Sequence, residues 1–314
     1  PSTSLRSKSQ LSSPSSSSSS SSFSVSNVNP PSSTLPAELA LPEPVASSAP
    51  PADKLKRYVA LGRAYYTFYK TGLKNVYQNY RASLPQRRSL GLPVFPPTSP
   101  HSSPESVKIS RADFQLVRRA AHDMRRMIPF TLVLIVCGEF TPLIVLALGD
   151  AITPFTCRIP RQVAKTTRQR GERKRAALAD HQARTAGSVT PPGPGSEQEL
   201  DLLARRFVDE AWIAAASGPE VLCAASVFGL VGSHRSSSFS PSQLFVRHRL
   251  RRYAQYLALD DRLIRQAGGV EGMTAQEVRI AVEERGGVGV AAEAEGALAE
   301  REERRWLERW LKKS

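Results

Sequence analysis

The chain has 314 residues, with 43 Lys and Arg against 28 Asp and Glu, a formal net charge of +15 and a mean hydropathy of −0.30. That length allows one or two domains. The three cysteines (Cys137, Cys157, Cys223) form no CxxC pair and the five histidines show no metal-ligand spacing, which argues against a secreted disulfide framework and a metal centre. No nucleophile–base grouping is present, so a hydrolase or transferase has no support and no cofactor is expected.

Where the charge sits matters more than its sum. From Glu199 onward 17 basic residues balance 17 acidic ones, whereas residues 51–127 carry 15 basic against 4 acidic and residues 158–198 carry 9 against 3. The excess brackets an apolar stretch and favours anionic lipid over nucleic acid as its partner. No DNA partner is expected.

In chain order, residues 1–50 are low-complexity, with a serine run at Ser15–Ser22 and no acid before Glu38. This composition fits either a mitochondrial transit peptide or a disordered tail. Residues 53–82 place Leu55, Tyr58, Gly62, Tyr65, Tyr69, Leu73, Val76 and Tyr80 at helical spacing among seven Lys and Arg. The result is a basic amphipathic helix, suited to a membrane interface or to packing on the rest of the protein. Residues 85–107, rich in Pro and Ser, read as a linker. A helix capped by Ser110 then runs into the apolar stretch, the whole segment covering 110–157.

That stretch, IPFTLVLIVCGEFTPLIVLAL, spans about 128–148 and matches the hydrocarbon thickness of a bilayer when helical. It predicts one membrane crossing, with Pro129 near its start and Pro142 kinking it near the middle. Glu139 is its only charge. An ionisable group there is costly, so Glu139 is an ion- or proton-site candidate, or a polar contact between subunits of a homo-oligomer. The plainer alternative is a neutral Glu139 bonded to the carbonyl that Pro142 frees.

Residues 158–187 read as a basic helix, 188–198 as a linker and 199–314 as a helical domain. Within the domain, Leu202, Leu203, Phe207 and Ala211 form one stripe, Pro219 opens a short apolar helix, Ser240-Pro241 starts another, and Gly268-Gly269 interrupts it. A capping box at Thr274–Glu277 opens the next helix, Gly286-Gly287 ends it, and a last helix runs from about Ala291 to Leu311 with Leu298, Trp306 and Trp310 in its apolar set. Asp260 and Asp261, as neighbours on one helix, point apart and serve capping or packing rather than catalysis. The cluster Arg247, Arg249, Arg251, Arg252 is either an RNA contact or a solvated face. The fold class is all-α: a disordered N-terminus, one kinked transmembrane helix and a soluble helical domain.

RRMIPFTLVLIVCGEFTPLIVLAL, leaving through ITPFTCRIP, resembles the membrane segment of the LETM family of the mitochondrial inner membrane. LRRYAQYLALDDRLIRQAGGVEGMTAQEVRIAVEERG resembles that family's ribosome-binding-like domain, through Asp260-Asp261, the Gly268-Gly269 turn and Arg285-Gly286. KRYVALGRAYYTFYKTGLKNVYQNYR is similar to the region ahead of the span in fungal-type members. The resemblance implies a single-pass inner-membrane protein with its C-terminal domain in the matrix, binding mitochondrial ribosomes and supporting membrane-protein biogenesis and K+/H+ homeostasis. It also leaves open an oligomeric K+/H+ or Ca2+/H+ exchanger acting through Glu139. No D-x-[DN]-x-[DN]-G loop and no sustained heptads occur, so neither an EF-hand nor a leucine zipper carries over.

Overall fold

The computed structural model describes residues 27–44, 46, 50–94, 108–137, 153–186, 191–234 and 243–314, without the side chains of residues 130, 133, 134, 137 and 186. Every regular element among them is helical.

Helix α1 covers Pro51–Ser89, with Pro51 at its first position, where its missing N–H is no loss. The linker expected from Pro85 does not begin there. Pro85 lies inside the helix, which runs on because Ser83 and Arg87, on either side of it, are buried and Arg87 donates to the Pro93 carbonyl at 2.7 Å. The buried face is Phe68, Gly72, Val76, Asn79, Ser83 and Arg87. Leu55 and Tyr58 of the expected stripe are exposed, because only the later turns of α1 meet a neighbour. Gly72 is that neighbour's closest approach: a Cβ there would lie 2.8 Å from Cys157 Sγ and 2.9 Å from the Thr156 carbonyl.

Helix α2 covers Arg111–Cys137 and starts at the expected cap, where Ser110 Oγ accepts from the Asp113 amide at 3.1 Å. Gln86 near the end of α1 donates to Asp113 near the start of α2 at 3.2 Å, so the two helices run antiparallel. Pro129 lies inside α2. Residues 138–150, with Glu139 and Pro142, lie outside the described residues. The expected crossing is not found in what is described: no helix there is long and apolar enough to cross a membrane, and α2 covers only the first half of the stretch. The chain resumes at Thr153 beside α2, with Arg126 Nη1 donating to the Thr153 carbonyl at 3.4 Å. Asp123 accepts from the amides of Phe155 at 2.7 Å and Thr156 at 3.3 Å, holding a short 3-10 turn, Phe155–Cys157, against Gly72.

Helix α3 (Pro160–Ala186) leads into a bundle of α4 (Glu197–Asp201, continued by a π-helical turn over Leu202–Phe207), α5 (Glu210–Ala215), α6 (Gly218–Val227), α7 (Gln243–Gln266), α8 (Ala275–Glu284) and α9 (Gly296–Lys313). The stripe ending at Ala211 breaks at Asp209, which caps a new helix by accepting from the Trp212 amide at 2.7 Å. Ala211 consequently faces solvent while Leu203 and Phe207 stay buried. Leu298 is likewise exposed, and α9 starts at Gly296 rather than Ala291 because 287–294 form successive turns. Ser240-Pro241 lies outside the described residues.

The core joins Leu200, Leu203 and Phe207 to the α6 apolar run, to Leu250, Leu257 and Ile264 of α7, and to Trp306, Leu307 and Trp310 of α9. Fully burying a side chain of this size contributes about 1.5–3 kcal/mol. Ala177 and Leu178 of α3 lie in the same core, and Lys174 forms a 2.7 Å buried ion pair with Glu199. The bundle therefore begins with α3, ahead of the boundary expected at 199. Residues 27–35, expected within a disordered tail, are seated too: Val28 is buried, and Asn29 donates to the Gly272 carbonyl and accepts from the Thr274 amide.

Candidate functional site

Asp260 and Asp261 follow each other on α7, about two turns short of the Gly268-Gly269 break, where both glycines hold positive φ. Both carboxylates are buried, and they do point to different partners. Asp260 accepts from Arg111 Nε at 3.0 Å and Gln115 Nε2 at 2.7 Å, both on α2, and from Arg285 Nη2 at 2.8 Å. Asp261 accepts from Arg285 Nε at 2.9 Å and from the Trp310 indole at 2.9 Å. Arg285, fully buried just past the end of α8, also pairs with Asp261 through Nη2 and caps α8 by donating to the Ala281 carbonyl at 3.0 Å.

The network continues along α2. Arg119 grips Glu277 with two parallel bonds of 2.7 and 2.9 Å, and Arg111 reaches the same carboxylate at 3.4 Å and the Val28 carbonyl at 2.9 Å. Glu277, the expected back-bonding member of the capping box, is thus turned to α2 instead; Thr274 still accepts from its amide. Arg118 pairs with Glu284 at 2.7 Å and lies 3.7 Å above the Tyr256 ring, and Tyr256 donates to the same carboxylate. Four arginines (111, 118, 119, 285) therefore face four carboxylates (260, 261, 277, 284). The balance is what makes burial tolerable, since each ion removed from water costs several kcal/mol unless paired and bonded.

The protonation states follow from that geometry. Burial alone would raise the Asp260 carboxyl, but Arg111 and Arg285 outweigh it and hold the group well below its ordinary value. Burial also opposes ionisation of Glu284, and Arg118 again prevails. Burial raises the Tyr256 hydroxyl, leaving it neutral and a donor. The free thiols are inert for the same reason: burial pushes Cys157 up to about 11 and Cys223 up to about 12.

Above this network, α7 presents its outer face. Arg249, Arg251 and Arg252 are exposed, as is His248. Arg247, half-buried, is engaged with α5 instead: it donates to the carbonyls of Ile213 at 2.8 Å and Ala216 at 2.7 Å, and to that of Ala214, closing the C-terminal end of α5. Arg251 makes a loose, exposed pair with Glu210 at 3.4 Å. Arg252 lies close to Arg125 of α2, whose guanidinium is held below its ordinary value first by burial and then by the Arg252 charge. The basic surface thus crosses from α7 onto α2 just ahead of Ile128. Among the described residues no group of His, Cys, Asp and Glu could hold a metal ion.

The sequence reading singled out the Asp260-Asp261 pair but not its partners. A signal was present: Arg111, Gln115, Arg118 and Arg119 recur at helical spacing, a polar stripe beside the apolar one of Phe114, Val117 and Ala121.

Residues 161–314 match the family model described as LETM1-like, RBD. The matched region begins at the second residue of α3 and ends with the chain, coinciding with the helical bundle. The three sequence marks of that domain (the paired aspartates, the double-glycine turn and Arg285-Gly286) are brought together by one ion network and the turns beside it. No curated protein and no solved structure matches the chain.

Proposed function

We propose that this chain, which belongs to the LETM1-like RBD family through residues 161–314, docks mitochondrial ribosomes at the inner membrane from the matrix side. In this reading it supports membrane-protein insertion, and cation balance follows indirectly. The observation that carries the proposal is the outward face of α7, where exposed arginines stand on a helix locked from beneath by Asp260, Asp261 and Arg285. A rigid, basic helix face suits a phosphate backbone, which is recognised chiefly through charge. The stretch from Ile128, flanked by Arg125, Arg126, Arg158 and Arg161, embeds in a membrane of anionic lipid.

Cosedimentation of the detergent-solubilised chain with mitochondrial ribosomes tests this. Arg249→Ala with Arg251→Ala should weaken binding and flatten its salt dependence by roughly one unit of slope per lost phosphate contact. Binding unchanged by both substitutions removes the α7 face from the proposal. The exchanger alternative is separated by Glu139→Gln, which abolishes K+/H+ exchange in proteoliposomes if the protein itself transports and leaves ribosome docking intact.

A further inference from the structure

Helix α1 carries nine Lys and Arg against one acid, Asp53, and over its 39 residues it extends about 58 Å. The fold uses only part of it. Its buried residues begin at Phe68 and recur through Gly72, Val76, Asn79 and Ser83 to Arg87, against α2, the turn at Phe155–Cys157 and Ser33. A second set of side chains faces elsewhere. Leu55, Val59, Tyr66 and Tyr77 are each half exposed or more, with half-buried Leu73 among them. At about 100° per residue these five share one row, about a third of a turn round the helix from the packing face. Beside that row, on the side away from the fold, run Lys56, Arg63, Lys70, Lys74 and Arg81, all exposed. Lys70 and Arg81 reach back over the rings of Tyr66 and Tyr77, 5.9 and 5.8 Å from their centroids. Lys56 meets Asp53 at 3.6 Å. The single stripe that spacing predicts, from Leu55 to Tyr80, is thus two faces, one spent on the fold and one left open.

We propose that this open face of α1 lies flat on an anionic lipid surface, with Leu55, Val59 and Tyr66 sunk between headgroups and the cation row paired with lipid phosphates. The pattern selects lipid over a polynucleotide. RNA would engage the cations and leave the aliphatic row in water, whereas an interfacial plane takes both at once. Tyrosine rings belong at headgroup level, with the ring in apolar surroundings and the hydroxyl in water. Charge complementarity runs along the whole row, since each cation beside an anionic surface adds about fivefold to affinity. The fold keeps the face straight. Asn79 donates to the Ser33 carbonyl and Arg87 to that of Pro93, both at distances of 2.8 Å or less, so the uncovered turns before Phe68 extend a helix already held rather than nucleating one. The proposal goes beyond ribosome docking by α7 and does not depend on it, because the lipid contact is on a different helix.

The test places a tryptophan on either flank of α1 in the full chain: Tyr66→Trp on the apolar row, and Thr71→Trp, exposed and beyond the cation row. The emission each adds to that of Trp212, Trp306 and Trp310 is followed in vesicles of acyl-brominated phosphatidylcholine, with and without phosphatidylglycerol. With phosphatidylglycerol the Tyr66→Trp increment should be quenched several-fold more than the Thr71→Trp increment. The difference should vanish in phosphatidylcholine alone, and after Lys56→Gln, Arg63→Gln and Lys70→Gln together. Every substituted side chain is exposed, so the fold is not at risk, and an unchanged thermal midpoint checks this. Equal quenching at the two positions overturns the proposal. So does a difference that survives the triple substitution or the removal of phosphatidylglycerol, because the contact would then owe nothing to charge. An unquenched Tyr66→Trp whose emission shifts on adding mitochondrial ribosomes to the detergent-solubilised chain assigns the face to RNA and overturns the lipid assignment. Failure of ribosome cosedimentation through α7 would leave these outcomes unaltered.

Discussion

Helix α2 is one continuous element in two environments. Its first half, Arg111 to Asp123, buries two arginines, a glutamine and an aspartate, and half-buries Arg118, among partners from four other segments. Its second half carries leucine and isoleucine and leaves them exposed. Hydrophobicity alone would assign the halves the other way round. The difference teaches that burial here is set by partner surfaces: the bundle offers carboxylates to the arginines, and no described element covers the apolar end. A helix with its polar half inside the protein and its apolar half outside is suited to reach from a folded domain into lipid.

The most severe way to break the comparison is to remove the shared centre. Arg285→Leu leaves Asp260 short of one cation and Asp261 without any, both in the interior. Breaking a buried pair on one side costs about 3–5 kcal/mol, so the thermal midpoint of the full chain should drop far below wild type. A midpoint within a degree or two of wild type would show that water reaches the aspartates. Arg111→Met is gentler, because Asp260 keeps Arg285 and Gln115. Loss of a bond to a charged group costs about 1.5–3 kcal/mol. Amide exchange should rise in α2 and in residues 27–35, which Arg111 holds through the Val28 carbonyl, with little change in α9.

How much of this was legible in the sequence differs between the two halves as well. The helices of the bundle and the Ser110 cap could be read from spacing and capping residues, because those are local signals. The continuation of α1 through Pro85 could not, since it depends on Arg87 finding a buried place across the turn. The ion network was half legible: Asp260-Asp261 stood out as a pair, but their cations lie 149 and 24 residues away, and long-range pairing leaves no periodic trace. The return of the chain to α2 at Thr153 was not legible at all, because Asp123 and Phe155 carry no pattern connecting them.

Acid should separate the halves in sequence. Both nitrogens of buried His181 lack a partner among the described residues, and burial, then Arg206, hold the ring below its ordinary 6.5. A depressed folded value means the unfolded chain binds the proton first, so this contribution is intact above 6.5 and is lost as pH falls below it. Asp260 and Glu284 are also depressed, so their contributions hold above the ordinary carboxylate values of 3.8 and 4.5 and are lost below them. Stability should therefore fall in two stages, first at the α3–α4 contact where His181 meets Phe207 and then at the α2 network. His181→Leu should flatten the first stage alone. A single transition unaffected by that substitution would assign acid sensitivity to the carboxylates only.

The smallest effects distinguish arginines that hold the fold from those that face outward. Arg247→Ala removes a guanidinium shared by three carbonyls at the end of α5, a loss comparable to a helix cap, about 1 kcal/mol. Arg249→Ala touches an exposed side chain and should change stability by no more than about 0.5 kcal/mol. Their effects on ribosome binding should reverse that order, because a residue bonded inward offers little to a phosphate while Arg249 remains turned to solvent. Chemical denaturation and cosedimentation on the same two variants give both rankings. If Arg247→Ala weakened binding more than Arg249→Ala without destabilising the chain, the docking surface would lie at the α5 end of the bundle, and the face of α7 would be the solvated surface that a neutral domain ordinarily presents.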